Sequence, residues 1–278
     1  MDEFQLEHAL VSMPDGGVSV KYAHLGHKKT CVCVHGFMGN GYWWHWVVPY
    51  LVRYYNVIII DLPGMGQSQA RTKYSLLDMG KAINAAISHF QHEMQSIQLI
   101  GHSLGALASS HAIIQNPSQI KTFQCIDMDL IRLQDETYHQ CNDIPRRYHA
   151  DQASLVKRFR LVPADTDCHQ EDLEYLAQHS MDLFEQGWAW SFDPNILNIQ
   201  KNNVLATFIE TMKTHPIQTQ FVIGDKTSVL SEAKAVDHWQ AIMANTQIKI
   251  MSGYHHLMLD DPKTLASIIH QFISEQNE

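Results

Sequence analysis

Short β-rich segments alternate with segments of helical periodicity through the first half of the chain and again near its end. This alternation is typical of an α/β fold, in which helices cover both faces of a mainly parallel sheet. The chain has 278 residues, enough to bury the core of one large α/β domain. The predicted buried strands are Cys31–Val34, Val57–Asp61, Ile97–Gly101, Phe123–Asp127, Gln220–Gly224 and Gln247–Met251.

Two amphipathic helices stand out from the periodicity. Apolar residues recur at three- and four-residue steps from Met79 to Met94, and Ser75 with Asp78 predicts a capping box before them. A second helix is expected from Asp261 and Pro262 onward, because proline is tolerated in the first turn of a helix.

Residues 130–203 have a different composition, rich in charge and aromatic rings and without a strand-like run. We interpret them as a helical cap inserted over one edge of the sheet. The predicted core domain then consists of residues 1–129 and 204–278.

Charge limits the kinds of partner. The 20 basic and 29 acidic residues give a net charge of −9, which argues against binding to nucleic acid or to an anionic membrane. No apolar run approaches the roughly 18 residues of a membrane span. The sequence begins with acidic residues where a signal peptide would be basic. The oligomeric state is left open.

The cysteines favour a reduced, cytoplasmic protein, because they are odd in number and widely scattered. Two of them, Cys31 and Cys33, would share one face of a strand and are expected to pack in the core. No metal-ligand spacing accompanies them, so we expect neither a metal nor a cofactor. The five cysteines are Cys31, Cys33, Cys125, Cys141 and Cys168.

The strongest chemical signal is the pentapeptide from Gly101 to Gly105, which follows a predicted strand and precedes a predicted helix. This G-x-S-x-G pattern is typical of a nucleophile elbow, a tight turn that exposes the hydroxyl of the central serine, here Ser103. Glycines on either side avoid collisions in the turn, and the helix N-terminus favours negative charge nearby.

Two other segments supply what a nucleophilic serine needs. His35 and Gly36 end the first predicted strand, so that the Phe37 and Leu104 amides together could form an oxyanion hole. Near the C-terminus, His255 is the candidate general base. Its neighbour His256 is expected to pack against the cap or to line the pocket.

In this order the segments resemble the α/β-hydrolase superfamily, with Asp61-Leu62-Pro63-Gly64 as a structural turn between them. The segments 158–163 and 187–194 resemble a bacterial branch described only as hydrolases or esterases. The resemblance implies an eight-stranded, mostly parallel sheet with a helical cap. A serine at the elbow implies acyl-enzyme chemistry, whereas members with aspartate there form alkyl esters.

The acid of the expected triad departs from the common pattern. The family usually places it after the seventh strand, where this sequence has Thr227 or Ser228. Some members place it after the sixth strand, and Asp127 matches that position 24 residues beyond the serine. Asp127 is therefore the preferred candidate and Asp225 the alternative, with Asp129 or no acid also left open.

The function predicted from these residues is hydrolysis of a carboxylic ester or a related acyl bond by a serine enzyme acting on a small or medium acyl substrate. The alternatives are hydrolysis or lysis of a C–C bond with the same residues, and a receptor that keeps the pocket without catalysis. An apolar or aromatic substrate is expected if the tryptophans face the site. Candidate pocket residues are His35, Trp44, Trp188, Trp190 and His256.

Overall fold

A computed structural model describes residues 5–136, 143–215, 217–230, 236, 239 and 246–276. Eight of its strands form one sheet in the order β1-β2-β4-β3-β5-β6-β9-β10, and β7 and β8 form a separate hairpin. The strands are β1 (Glu7–Val11), β2 (Val18–Ala23), β3 (Thr30–Val34), β4 (Asn56–Ile60), β5 (Ile97–His102), β6 (Ile120–Ile126), β7 (Met181–Phe184), β8 (Gly187–Trp190), β9 (Gln218–Gly224) and β10 (Gln247–Met251).

The sheet is parallel from β4 to β10, and only β1 and β2 run antiparallel to their neighbours. Every residue of β3 and β4 is buried, as expected for central strands covered on both faces. The predicted eight-stranded, mostly parallel α/β sheet is confirmed. All six strands predicted from the residues are present, whereas the residue pattern did not reveal β1 and β2.

Helices pack on both faces of the sheet and complete two apolar cores. The Ser75 hydroxyl accepts a hydrogen bond from the Asp78 amide, as the capping box predicts. Asp261 likewise caps the last helix. The helices are α1 (Val48–Leu51), α2 (Leu76–His89), α3 (Leu104–Gln115), α4 (Gln152–Val156), α5 (Gln170–Gln178), α6 (Leu205–Thr214), α7 (Leu257–Asp260) and α8 (Pro262–Glu275).

The segment 130–203 is only partly helical. It contains α4 and α5, but also the antiparallel β7–β8 hairpin, so the expectation of an insertion without strands is wrong. Gly187 opens β8 at φ +127°, and a β-carbon there would lie 2.6 Å from the His149 carbonyl oxygen. The glycine thus allows the hairpin to pair closely with the chain at His149. The domain limits at 129/130 and 203/204 stay a prediction.

No helix among the described residues has both the length and the apolar character needed to cross a bilayer. Cys31 and Cys33 are buried in β3 without a disulfide partner, which confirms the prediction of core packing. Cys141 lies outside the described residues. The cytoplasmic location stays a prediction.

Candidate active site

The candidate site lies at the carboxyl edge of the sheet. Ser103 follows β5, Asp127 follows β6, and His255 lies in the loop after β10. Parallel strands bring their carboxyl ends to one edge, where α/β proteins commonly bind ligands. Residues far apart in sequence therefore meet there.

The elbow has the backbone that the motif predicts. Ser103 adopts φ 52° and ψ −121°, in a region that non-glycine residues rarely enter. A β-carbon at Gly105 would lie 2.5 Å from the carbonyl oxygens of Val34 and His35, and one at Gly101 would lie 2.7 Å from Ala106. Glycines at both positions are what let α3 pack closely against the neighbouring strands.

A continuous hydrogen-bonded chain joins the three residues. His255 Nε2 lies 3.0 Å from Ser103 Oγ, and His255 Nδ1 lies 2.7 Å from Asp127 Oδ2. The carboxylate can only accept, so Nδ1 carries the proton and Nε2 is left as the acceptor for the serine hydroxyl. All three side chains are buried, with exposed fractions of 9%, 3% and 0% for Ser103, His255 and Asp127.

Both carboxylate oxygens of Asp127 accept hydrogen bonds. Oδ1 accepts the Gly224 amide at 3.0 Å, while Oδ2 accepts the Thr227 hydroxyl at 2.6 Å in addition to His255. The aspartate itself adopts φ 46°, a left-handed conformation that aspartate tolerates better than most residues. Thr227, which stands where the family usually has its acid, thus donates to the acid supplied by the neighbouring strand. Sequence reasoning missed this contact.

The structure does not bring the alternative acids to His255. Asp225 Oδ1 accepts the Gly253 amide at 3.0 Å and so ties together the loops that follow β9 and β10. Asp129 caps the turn of 3₁₀ helix at Leu130–Gln134 by accepting the Ile131 amide. The alternative assignment of Asp225 as the triad acid is therefore corrected, because in the structure this residue joins two loops.

Phe37 and Leu104 border a cavity of about 320 Å³ together with Ser103. The loop that carries Phe37 approaches the elbow closely, since a β-carbon on Gly36 would lie 2.8 Å from His102 Nδ1 and 3.2 Å from the Ser103 β-carbon. Glycine at this position is therefore needed for the approach. The remaining wall of the cavity is mainly apolar, including Leu107 and Met128.

Two candidate pocket residues are buried away from the cavities. His35 accepts the Leu62 amide through Nε2 at 3.0 Å and donates through Nδ1 to the Gly36 carbonyl, and burial lowers its pKa. Trp44 is fully buried in the core. Both placements correct the prediction. The neighbouring Trp43 borders a second cavity instead, because the 3₁₀ turn Gly41–Trp44 points the two indoles in different directions.

The two other candidate tryptophans, Trp188 and Trp190, lie in different surroundings. Trp190 borders the second cavity, whereas Trp188 packs against the small apolar cluster of Leu155, Ala177 and Met181 and borders neither cavity beside Phe37.

His256 takes the first of the two roles that the sequence left open, packing against the cap. Its Nε2 lies 3.1 Å from the Pro163 carbonyl oxygen and its ring contacts Trp43, while burial lowers its pKa to about 3. It borders neither cavity, so its inclusion among the pocket residues is corrected.

His102 supports the loop that carries His255. Its Nε2 donates to the His255 carbonyl oxygen at 2.9 Å, and burial beside two other imidazoles holds the pKa of His102 well below its usual value. His102, His255 and His256 form the one group with metal-ligand spacing among the described residues, with one nitrogen of each within 4.8 Å. Both nitrogens of His255 already form hydrogen bonds, to Asp127 and to Ser103, so a metal bound to His255 would have to replace one of them.

The fold and this cluster define a class, an α/β protein with a serine, a histidine and an aspartate joined at the carboxyl edge of its sheet. The family model for the alpha/beta hydrolase fold matches residues 29–262. The chain therefore belongs to the α/β-hydrolase fold family, as the sequence predicted.

Individual proteins match the chain either over only part of its length or at low sequence identity. The chain is 36% identical over 105 residues to the uncharacterized hydrolase YugF of Bacillus subtilis, covering 36% of this chain and 38% of that protein. It is 32% identical over 105 residues to a pimeloyl-[acyl-carrier protein] methyl ester esterase of Aeromonas hydrophila, covering 37% and 39%. The match thus spans less than half of either relative. A thioesterase domain from the curacin biosynthetic pathway has the same fold, with a TM-score of 0.76 at 21% identity over 96% of this chain and 100% of that domain.

Proposed function

We propose that this protein is a serine hydrolase that cleaves a carboxylic ester or a related acyl bond of a small molecule. The observation that carries the proposal is the unbroken chain from the Ser103 hydroxyl through His255 to the Asp127 carboxylate, with bonds of 3.0 and 2.7 Å. Its relatives named hydrolase and esterase add support.

In the proposed reaction His255 Nε2 takes the proton of Ser103 as Oγ attacks the acyl carbon. Asp127 accepts Nδ1–H and stabilises the imidazolium that forms. The amides of Phe37 and Leu104 hold the oxyanion, each contributing about 3 kcal/mol to the lowering of the barrier. The imidazolium then gives its proton to the leaving group, and a water activated by His255 releases the acid.

The cavity beside Ser103 is suited to an acyl chain of moderate length, because its volume is about 320 Å³ and its wall is mainly apolar. p-Nitrophenyl esters of increasing chain length should therefore show a rise in kcat/KM to an optimum, followed by a fall when the chain exceeds the cavity.

A fluorophosphonate probe tests the proposal most directly. The wild-type protein should be labelled covalently and should hydrolyse p-nitrophenyl butyrate, while Ser103→Ala should lose both properties. Ser267→Ala, which alters an exposed serine on α8, serves as the control. A receptor without catalysis would bind ligands but would neither be labelled nor hydrolyse any ester, and that result would refute the proposal.

A further inference from the structure

A second cavity adjoins the one that contains Ser103. Its volume is about 180 Å³, and Phe37 belongs to the walls of both cavities. Aromatic rings of Trp43 and Trp190 border it together with two cap residues, Arg158 and Arg160. The Ser103 cavity is mainly apolar but is also bordered by Arg132 and Lys201, whereas the second cavity combines aromatic rings with Arg158 and Arg160. A substrate attacked at Ser103 that reaches past Phe37 would meet these two arginines.

The cap segment 158–163 is held against the histidine end of the site. The Pro163 carbonyl oxygen lies 3.1 Å from His256 Nε2, and the His256 ring contacts Trp43 with 5.0 Å between centroids. Phe159, between the two arginines, contacts the Trp190 ring. The arginines therefore belong to a segment that is packed against His256, the chain neighbour of His255, which delivers the proton to a leaving group.

The charge of the wall of the second cavity is opposite to that of the whole chain. The net charge is −9, yet the residues that border this cavity include Arg158 and Arg160 and no acidic residue. Both arginines are exposed, and Arg160 donates to the carbonyl oxygens of Lys157 and Phe159. No carboxylate of the described residues forms an ion pair with Arg158 or Arg160. Guanidinium groups that have no carboxylate partner and lie beside aromatic rings are well suited to binding a phosphate or a carboxylate.

We propose, resting on the ester hydrolysis proposed above, that the substrate carries a negative charge on its leaving group and that Arg158 and Arg160 bind this charge. The acyl half occupies the cavity of Ser103, and the alcohol or thiol half occupies the cavity of the arginines. The chemistry is ordinary hydrolysis: the acyl–Ser103 bond forms, the leaving group departs with the proton of His255, and water restores the serine.

The test uses butyrate esters of phenols that differ only at the para position. The substituent is acetyl in the neutral ester, and carboxylate or phosphonomethyl in the two anionic esters. Each kcat/KM is divided by the rate of alkaline hydrolysis of the same ester, which removes differences in leaving-group reactivity. At low salt the anionic esters should exceed the neutral one by about tenfold or more, as charge-assisted hydrogen bonds typically provide. A larger gain for the phosphonate would identify a phosphate as the natural group, and an equal gain a carboxylate.

Substitution of the arginines tests which residues bind the negative charge of the substrate. In the double variant Arg158→Gln/Arg160→Gln the ratio of anionic to neutral rates should fall to within about twofold of unity, and 0.5 M KCl should reduce it in the wild type. Arg147→Gln is the matched control, since Arg147 is an exposed cap arginine that borders neither cavity, and it should leave the ratio unchanged.

Three results would overturn the inference. The first is equal normalised rates for neutral and anionic esters in the wild type, and the second is a preference that survives in the double variant. The third is a preference only when the charge lies at the far end of the acyl chain, as in 4-acetylphenyl hydrogen adipate, which would place the anion near Arg132 and Lys201 in the Ser103 cavity. Failure of the proposed function looks different, because then the neutral ester is not cleaved and Ser103 is not labelled.

Discussion

At the scale of single residues, Asp127 and Asp225 are the two candidates for the acid that orients His255. Asp127→Asn should reduce kcat by about 10⁴, because an amide in place of the carboxylate no longer fixes the histidine tautomer needed to accept the serine proton. Asp225→Asn should change kcat only a few-fold, since an asparagine oxygen can still accept the Gly253 amide. Steady-state kinetics on p-nitrophenyl butyrate compare the two, and a greater loss in the Asp225 variant would contradict the assignment of Asp127.

Thr227 is expected to act as a positioning residue for Asp127. Thr227→Val removes the donor at 2.6 Å and should lower kcat about tenfold with little change in KM, because the carboxylate loses one of the bonds that orient it toward His255. Thr227→Ser keeps the hydroxyl and should restore most of the activity. If the serine variant were as impaired as the valine variant, the methyl packing of Thr227 rather than its hydrogen bond would be responsible.

The difference between these residues and the tryptophans shows what a single sequence can predict. Ser103 and His255 could be named because an elbow and a late histidine have fixed neighbours in the chain. Trp43 and Trp44 could not be told apart, because they are adjacent and their directions depend on the short turn that contains them. The sequence therefore placed Trp44 in the pocket, whereas it lies in the core.

At the scale of elements, prediction succeeded where burial is complete on both faces. β3 and β4 read as continuous apolar runs and were predicted within one residue of their ends. β7 and β8 have only four residues each and are partly exposed, so that neither a run nor an alternation marks them. Short, half-buried strands depend on their tertiary partners, here the chain at His149.

Helix α3 carries a buried histidine that should make stability depend on pH. Burial lowers the pKa of His111 to about 4, below the ordinary value of 6.5 that applies in the unfolded chain. The unfolded state therefore binds the proton first, so stability is complete above pH 6.5 and is lost as the pH falls toward 4. The loss from this residue is about 2 kcal/mol between pH 7 and pH 5.

His111→Leu should remove that part of the pH dependence while keeping an apolar side chain of similar size. Urea unfolding at pH 7 and pH 5 measures the effect as the difference in free energy of unfolding between the two conditions. An equal pH dependence in both proteins would show that His111 is not held neutral by its burial.

At the scale of the whole molecule, the segment 130–203 is joined to the rest of the chain by polar contacts as well as by apolar packing. The Asp193 amide donates to the Gly64 carbonyl oxygen at 2.7 Å, and Asp193 Oδ2 accepts the Tyr74 hydroxyl at 2.6 Å. In addition, Asp260 Oδ1 accepts the Thr166 hydroxyl at 2.6 Å. Because Trp190 and Phe192 border the second cavity just before Asp193, this attachment also sets the shape of the site.

Tyr74→Phe should loosen the cap without unfolding the sheet. The substitution leaves the buried Asp193 oxygen and the Arg71 amide without the hydroxyl they share, at a cost of about 1–3 kcal/mol. Hydrogen exchange should accelerate in residues 188–200 while β3 and β5 stay protected, and KM should rise more than kcat falls. Tyr54→Phe, at a half-exposed surface tyrosine, is the control. Equal acceleration in the cap and in the central strands would instead mean that the two open as one cooperative unit, with no separate adjustment of the cavity by the cap.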